Sequence, residues 1–333
     1  MRRPIAANDP RVGRFRADLE ALTGASPTAG RRLGLAVSGG PDSTALLLLA
    51  AAAYPRAIAA ATVDHRLRPE SGGEAAQVAA LCGELGVPHA TLPLDWTPPP
   101  RANLQAAARE RRYQALLCWA RDGGCDWLAV AHHIDDQAET LLMRLARGSG
   151  IRGAAAARTW RPLGEGRDGR AIRLIRPLLG WRRDELARLV EEAGVAAVDD
   201  PANRDPRHDR SRVRRALLRN RWLDPERLAA AAAHFAEAEE ALDWTVDGLW
   251  SDRAEISADG SVSLDVEGLP RELQRRLVAR AIAAVGKAGD LPGPKLARLV
   301  DALAAGRIAT LAGVRAAAGR RWTFSLAPVR RSG

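Results

Sequence analysis

The sequence predicts an α/β protein: a doubly wound parallel sheet with a smaller C-terminal domain, mainly helical with a small sheet. Three observations predict it. Short apolar runs at 33–37, 57–63, 89–94, 127–131 and 172–179 alternate with longer helical patterns, the order of a parallel sheet covered on both faces. The joint after the first run is glycine-rich, on the side where such sheets bind ligands. From Pro225 the pattern changes to Ala-rich helices and then short strands, so a boundary is expected near 220, giving domains 1–220 and 221–333. At 333 residues the chain is long enough for both.

The elements follow in order. Residues 12–24 read as a leading helix and 33–37 as the first strand. Residues 44–53 are a helix rich in Leu and Ala, and 57–63 the second strand. A helix at 74–85 is closed by Gly86 and Pro88, and the third strand is 89–94. A Pro-rich loop at 95–100 precedes a helix at 103–120. The fourth strand, 127–131, leads into a helix at 135–146, closed by Gly148 and Gly150. Residues 151–170 read as an exposed Gly/Arg-rich loop, 172–179 as a strand and 182–193 as a helix. A basic segment spans 199–221. Beyond it come helices at 225–249, 270–285 and 295–304, with short strands near 255, 261–264 and in 306–327.

The chain is organised around Ser38-Gly39-Gly40-Pro41-Asp42-Ser43, between the first strand and its helix. Two glycines let the backbone bend and approach a ligand. The helix N-terminus offers unpaired N–H groups and a partial positive charge, which suit a phosphate. Ser38 and Ser43 add hydroxyls. Asp42 repels phosphate, so an acid there makes best sense holding Mg²⁺ beside it. The P-loop is excluded because Gly40 stands where its lysine should be, and this turn is neither a G-x-G-x-x-G nor a G-x-S-x-G elbow. A glycine-rich turn that binds nothing is the bland alternative.

Two further clusters lie at strand carboxyl ends. Asp64 and His65 follow the second strand. His132, His133, Asp135, Asp136 and Glu139 follow the fourth. Asp136 and Glu139 share a helix face. Acids at a helix start also stabilise it by capping, which explains part of the cluster but not its histidines. H-E-x-x-H is missing, so a mixed site, Mg²⁺ plus a cationic substrate, fits better than a metal-only one. Arg109 and Arg112 share a face of the helix at 103–120. Beside a phosphate site they would steady nucleotide phosphate or RNA; elsewhere they would be a solvated surface.

The formal charge is +10, from 50 basic and 40 acidic residues, and predicts an anionic partner. It clusters: after Asp199-Asp200-Pro201-Ala202-Asn203 come Arg204, Arg207, Arg210, Arg212, Arg214, Arg215, Arg219 and Arg221. RNA fits better than a membrane surface, because Asp205 and Asp209 interrupt the run. Cys82, Cys118 and Cys125 form no C-x-x-C, which argues against zinc or an iron–sulfur cluster and fits a reducing cytoplasm. The most apolar stretch, 44–53, is too short to span a bilayer.

The S-G-G-x-D-S turn resembles the pyrophosphate loop of the PP-loop ATP-pyrophosphatases. Val63-Asp64-His65-Arg66-Leu67-Arg68, the A-R-x-x-R-Y of Ala108 to Tyr113, and the A-H-H-x-D-D-x-x-E-T of Ala131 to Thr140 follow in family order, as do D-P-x-N and R-x-R-[IV]-R. Together they resemble the tRNA(Ile)-lysidine synthase family, over roughly residues 30–220. The resemblance implies an adenine-nucleotide alpha-hydrolase-like fold and a short form without the further C-terminal domain of longer members. It implies a ligase that uses ATP and Mg²⁺ to adenylate the wobble cytidine of a CAU-anticodon tRNA(Ile). Free L-lysine then displaces AMP to form lysidine.

By that resemblance Ser38, Gly39, Gly40, Pro41, Asp42 and Ser43 hold the pyrophosphate, with Asp42 on Mg²⁺. Asp64 and His65 line the nucleotide. Asp136 and Glu139 hold and deprotonate the lysine ammonium. Arg109 assists catalysis, and His133, Arg112, Arg210, Arg212 and Arg214 grip RNA or the activated base. The role of His132 is open. So is the oligomeric state, a homodimer being one candidate. Two rivals stand beside this reading: a tRNA thiolase on the same fold, and a non-catalytic RNA-binding protein.

Overall fold

The computed structural model describes residues 5–66, 70–96, 104–155, 157–166, 168–198, 209–220, 222–286 and 291–328. Arg68, Asn103, the segment 199–208 with Arg204 and Arg207, and Arg221 lie outside them. The chain forms two compact units, Met1–Ala236 and Glu237–Gly333. The boundary expected near 220 precedes the helix Pro225–Arg253; the units divide inside that helix.

The first unit opens with α1 (Pro10–Thr23), β1 (Arg32–Ala36), α2 (Pro41–Ala53), β2 (Ile58–Asp64), α3 (Ser71–Glu84) and β3 (His89–Pro93). It continues with α4 (Leu104–Asp122), β4 (Cys125–Ala129), α5 (Ile134–Ala146), α6 (Ile151–Ala154), β5 (Trp160–Glu165) and β6 (Ala171–Ile175). Then come α7 (Arg183–Glu192), α8 (Asp209–Arg219) and the start of α9 (Pro225–Arg253). The strand order is β3-β2-β1-β4-β6-β5. The order reverses between β1 and β4, and a crevice opens there at the carboxyl ends.

Every pair in this sheet is parallel except β5 with β6, which is antiparallel with a register shift between Pro162 and Gly164. The loop expected at 151–170 therefore holds a short helix and an edge strand. Pro162 and Gly164 masked the strand in the sequence, and both are tolerated where an edge leaves one side unpaired.

Helix α2 is apolar all round because it is buried all round: Leu46, Leu47 and Leu49 are covered by α1, α7 and the sheet, among Phe15, Leu19 and Trp181. On the other face, Leu116 of α4 packs with Leu128 and Leu174. Truncating one such leucine to alanine costs about 2–5 kcal/mol. The frame that carries the β1–α2 turn is therefore stiff.

The second unit contains β7 (Ala254–Ile256), β8 (Val262–Leu264), α10 (Arg271–Val285), α11 (Gly293–Ala304), β9 (Ala309–Leu311), β10 (Val314–Ala317) and β11 (Trp322–Leu326). Its sheet runs β7-β8-β11-β10-β9, with antiparallel pairs throughout. A two-residue turn joins β9 to β10, with φ of 51° at Ala312 and 77° at Gly313, as a tight hairpin requires. Buried Arg276 ties α10 to the second half of α9 through Glu239 and Asp243.

Candidate active site

The β1–α2 turn is a preformed cradle. Gly39 takes φ of 87°, a conformation that L side chains rarely adopt, and a Cβ there would stand 2.9 Å from Val198 Cγ2. The Val198 backbone N–H donates to Gly39 O at 2.9 Å, pinning the turn. Gly40 is the N-cap of α2 and Pro41 follows it, leaving the first amides of the helix toward the crevice. Ser43 Oγ accepts from the Ser38 N–H at 3.1 Å and lies 3.1 Å from Ser38 Oγ, so the two hydroxyls close the loop.

Two cavities meet at this cradle. One, of about 450 Å³, lies between β1, β2, α3 and α4, and is lined by Ala61, Val63, His65, Ala75 and Leu116. The other, of about 830 Å³, is lined by Gly40, Asp42, His132, Asp136, Arg210 and Arg214 among others. Ser38, Arg109 and Arg112 line both. Among the described residues no carboxylate pairs with Arg109 or Arg112; both stand over the Tyr113 ring, at 5.2 and 5.9 Å. Burial pushes the Arg112 guanidinium below its ordinary value. Two cations without an anion at the junction of two cavities suit a phosphate.

The adjacent histidines differ in charge: one is neutral and the other cationic. His132 lines the larger cavity and accepts Arg176 Nε–H at Nδ1, 3.2 Å away. Burial, then the surrounding arginines, push it down to about 3, so it is a neutral imidazole. His133 is fully buried among three carboxylates: Asp42 at 3.4 Å, and Asp135 and Asp136 at 3.6 Å each. Burial alone would lower it, but Asp135, Asp42 and Asp136 together raise it to about 9. This imidazolium joins the α2 turn to the start of α5. It is fully buried and not among the residues lining either cavity, whereas the sequence reading expects it to contact substrate.

Asp136 and Glu139 come together as predicted, on one face of α5, but with different surroundings. Asp136 lines the larger cavity. Glu139 is fully buried, receiving Arg183 at 3.0 Å, Arg210 at 2.7 Å and Arg214 at 2.9 Å. Burial alone would raise its pKa, but Arg214, Arg183 and Arg210 hold it at about 2. A carboxylate with both oxygens so engaged is a poor base, and Glu139 is not among the cavity-lining residues. Its place is that of an anchor for arginines.

Asp64 also turns inward: Oδ1 accepts from the Arg66 backbone N–H at 2.9 Å and from Ser71 Oγ at 2.7 Å, shaping the β2–α3 connection. His65 alone of that pair lines the nucleotide-side cavity. Arg210 and Arg214, four apart on α8, face the larger cavity. Arg212 falls on another face of the helix, is exposed, and pairs with Asp209.

Several contributors were not predicted. Arg183 and Arg182 clamp α7 onto α5: Asp135 Oδ2 accepts the Arg183 backbone N–H at 2.9 Å, and Arg182 pairs with Asp135 at 3.4 Å. Two arginines at a helix start oppose the helix dipole, a signal that they answer to a tertiary partner. Arg176 carried no comparable mark.

Metal-binding capacity can be tested on the donors present. Among the described residues no group of three or more His, Cys, Asp or Glu could hold a metal by itself. Mg²⁺ takes one or two carboxylates with water and substrate phosphate. Asp42 Oδ1, buried without a hydrogen-bond partner, and the nearby carboxylate of Asp136 fit that donor set.

Residues 14–221 match the PP-loop domain family. The chain is 48% identical over 324 residues to the tRNA(Ile)-lysidine synthase of Novosphingobium aromaticivorans, covering 96% of this chain and 95% of that protein. It is 43% identical over 319 residues to the tRNA(Ile)-lysidine synthase of Zymomonas mobilis, covering 94% of each. In fold it is similar to the U34-tRNA thiolase NcsA of Methanococcus maripaludis, with a TM-score of 0.52 and 17% identity over 69% of this chain and 81% of that one.

Proposed function

The chain belongs to the tRNA(Ile)-lysidine synthase family of tRNA-modifying ligases, and from that premise we propose that it joins free L-lysine to the wobble cytidine of a CAU-anticodon tRNA(Ile) at the expense of ATP. One observation carries the reading. The phosphate cradle, the acid Asp136 and the arginines of α8 line a single cavity, and that cavity opens beside a second, more apolar one.

The smaller cavity suits an adenine, placing the triphosphate over Ser38, Gly39, Gly40 and Ser43. The cytidine O2 attacks the α-phosphorus and pyrophosphate leaves. The α2 amides, the paired serine hydroxyls, Arg109 and Arg112 stabilise the charge on the departing phosphates. Mg²⁺, when bound, neutralises phosphate charge; Asp42 and Asp136 would hold it. The ε-amine of lysine then attacks C2, the C2–O bond breaks, and AMP departs with that oxygen. A lysine ammonium near pKa ~10.4 must first lose a proton. Asp136, the acid that reaches the cavity, takes the ammonium in place of Arg210 and then accepts that proton. Fully buried His133 fixes Asp42 and Asp136 relative to one another and touches no substrate. Glu139 acts through Arg183, Arg210 and Arg214.

The thiolase rival finds no support at the site. Cys82 and Cys125 are buried with thiols pushed up to about 12 and about 11 by burial, and neither cavity is lined by a cysteine. The three unpaired cysteines, and the lack among the described residues of a helix long and apolar enough to cross a membrane, support work in the cytoplasm.

The test is incubation with α-labelled ATP, Mg²⁺, labelled L-lysine and a CAU-anticodon tRNA(Ile) transcript, with methionine tRNA as control. About one lysine per tRNA(Ile), none in the control, and loss in Asp42→Ala are expected. AMP and pyrophosphate without lysine in the RNA would remove the lysine assignment. No ATP cleavage with any tRNA would favour the RNA-binding alternative.

A further inference from the structure

We propose that Leu218 and Trp222 form a stacking surface at the mouth of the larger cavity, which holds the unpaired RNA base next to the target cytidine. The inference rests on the function proposed above and assigns a surface that the chemistry does not use.

Helix α8 presents one face to the cavity: Arg210, Ser211, Arg214, Arg215 and Leu218 line it, at the spacing of successive turns. Along this face the character changes. Arg210 and Arg214 are tied to Glu139, Ser211 is buried, and Leu218 at the far end is 81% exposed. Four residues on, Trp222 is 96% exposed. Its backbone is not loose: Asn220 N–H donates to Ala216 O at 3.1 Å, and Leu223 N–H to Asn220 O at 3.0 Å, closing a turn that carries the indole. A held backbone therefore offers a bare aromatic ring three residues past the end of α8, the helix whose Leu218 lines the cavity.

The surroundings select the occupant. Arg212, Arg215 and Arg219 are exposed on the same short helix, and its one acid, Asp209, is already paired with Arg212 and Arg147. An exposed apolar pair framed by arginines matches single-stranded RNA, whose bases stack on aromatic rings while its phosphates take the cations. A target base can enter the cavity only by leaving its stack, which strips its neighbour of one stacking face. Trp222 replaces that face. Leu218, exposed on the cavity lining, adds apolar surface beside it.

The test uses the full-length protein and a CAU anticodon stem-loop RNA carrying 2-aminopurine in place of the A after the target C. Binding is followed by fluorescence at several salt concentrations. Wild type is expected to quench the probe. Trp222→Ala should lose the quenching and bind about tenfold more weakly, with an unchanged salt slope, because stacking neutralises no phosphate. Trp222→Phe should restore most of both. Arg219→Ala should instead reduce the salt slope by about 0.7. Wild-type affinity and quenching in Trp222→Ala would overturn the proposal, as would a change in its salt slope like that of the arginine variant. Lysine incorporation into full-length tRNA is measured alongside. If wild type modifies the tRNA and Trp222→Ala binds like wild type, the stacking surface alone is wrong. If wild type neither binds nor modifies RNA, both readings fall.

Discussion

Arg210 donates its Nε–H to Glu139 Oε2 at 2.7 Å, so an arginine from the basic segment sits on a carboxylate that the sequence suggests for lysine. Its Nη2 reaches Asp136 Oδ1, also at 2.7 Å. In the RNA-free protein a guanidinium thus already lies on Asp136, the acid proposed to hold the lysine ammonium. Charge-assisted hydrogen bonds of this kind are worth roughly 1.5–3 kcal/mol. L-Lysine should therefore bind the RNA-free protein weakly, and Arg210→Ala should tighten that binding about tenfold. Calorimetric titration of lysine without RNA checks this; equal affinity in both proteins would mean that lysine meets Asp136 without displacing Arg210.

Glu139 is a structural anion before it is anything else. Glu139→Gln keeps its shape but leaves Arg183, Arg210 and Arg214 without their common partner. Removing one side of a buried ion cluster costs roughly 3–5 kcal/mol. The urea midpoint of the variant should fall accordingly. A midpoint within error of wild type would show that the arginines find other partners.

Gly39→Ala adds a Cβ at φ of 87° and 2.9 Å from Val198 Cγ2. Backbone strain of roughly 1–3 kcal/mol, together with displacement of the segment that pins the turn, falls on the phosphate cradle. ATP affinity should drop about tenfold or more, while unfolding by denaturant changes less than in a core variant. Wild-type ATP binding would remove the cradle from the account.

The acid side of the pH–stability profile follows from two depressed groups. Glu139 lies at about 2, below its ordinary value of 4.5, so its contribution is complete above 4.5 and lost as pH falls through about 2. His132 lies at about 3, below 6.5, so folding is favoured above 6.5 and weakened as pH drops toward 3. In both cases the unfolded chain binds the proton more readily, and stability must fall with pH. Denaturation followed from pH 7 to pH 3 should show a loss of a few kcal/mol, reduced in Glu139→Gln. A flat profile would contradict both assignments.

Much of the site was legible because its residues lie at strand ends. The Ser38 to Ser43 turn, His65 and Asp136 reach the crevice as their positions imply. What misled was burial. His133 and Glu139 carry the same chemistry as their neighbours, yet each is turned to a partner inside the protein. Whether a carboxylate meets substrate or arginine depends on helices α7 and α8, 44 to 75 positions away in the chain. No local spacing records that. The edge strand β5 was missed for a related reason: its pairing is supplied by β6, across a hairpin whose pattern carries Pro162 and Gly164.

By itself the sequence determined the alternating order of strands and helices, the phosphate-binding turn, the family motifs and the clustered positive charge, because each depends on residues close along the chain. Tertiary structure alone decided which acids remain open to a ligand, that of two adjacent histidines one is neutral and one cationic, and that Arg210 lies across Asp136 and Glu139. Those outcomes follow from desolvation and from opposing charges brought together by packing. Such interactions act through space between α5, α7 and α8, and they exist only once the sheet has placed those helices side by side.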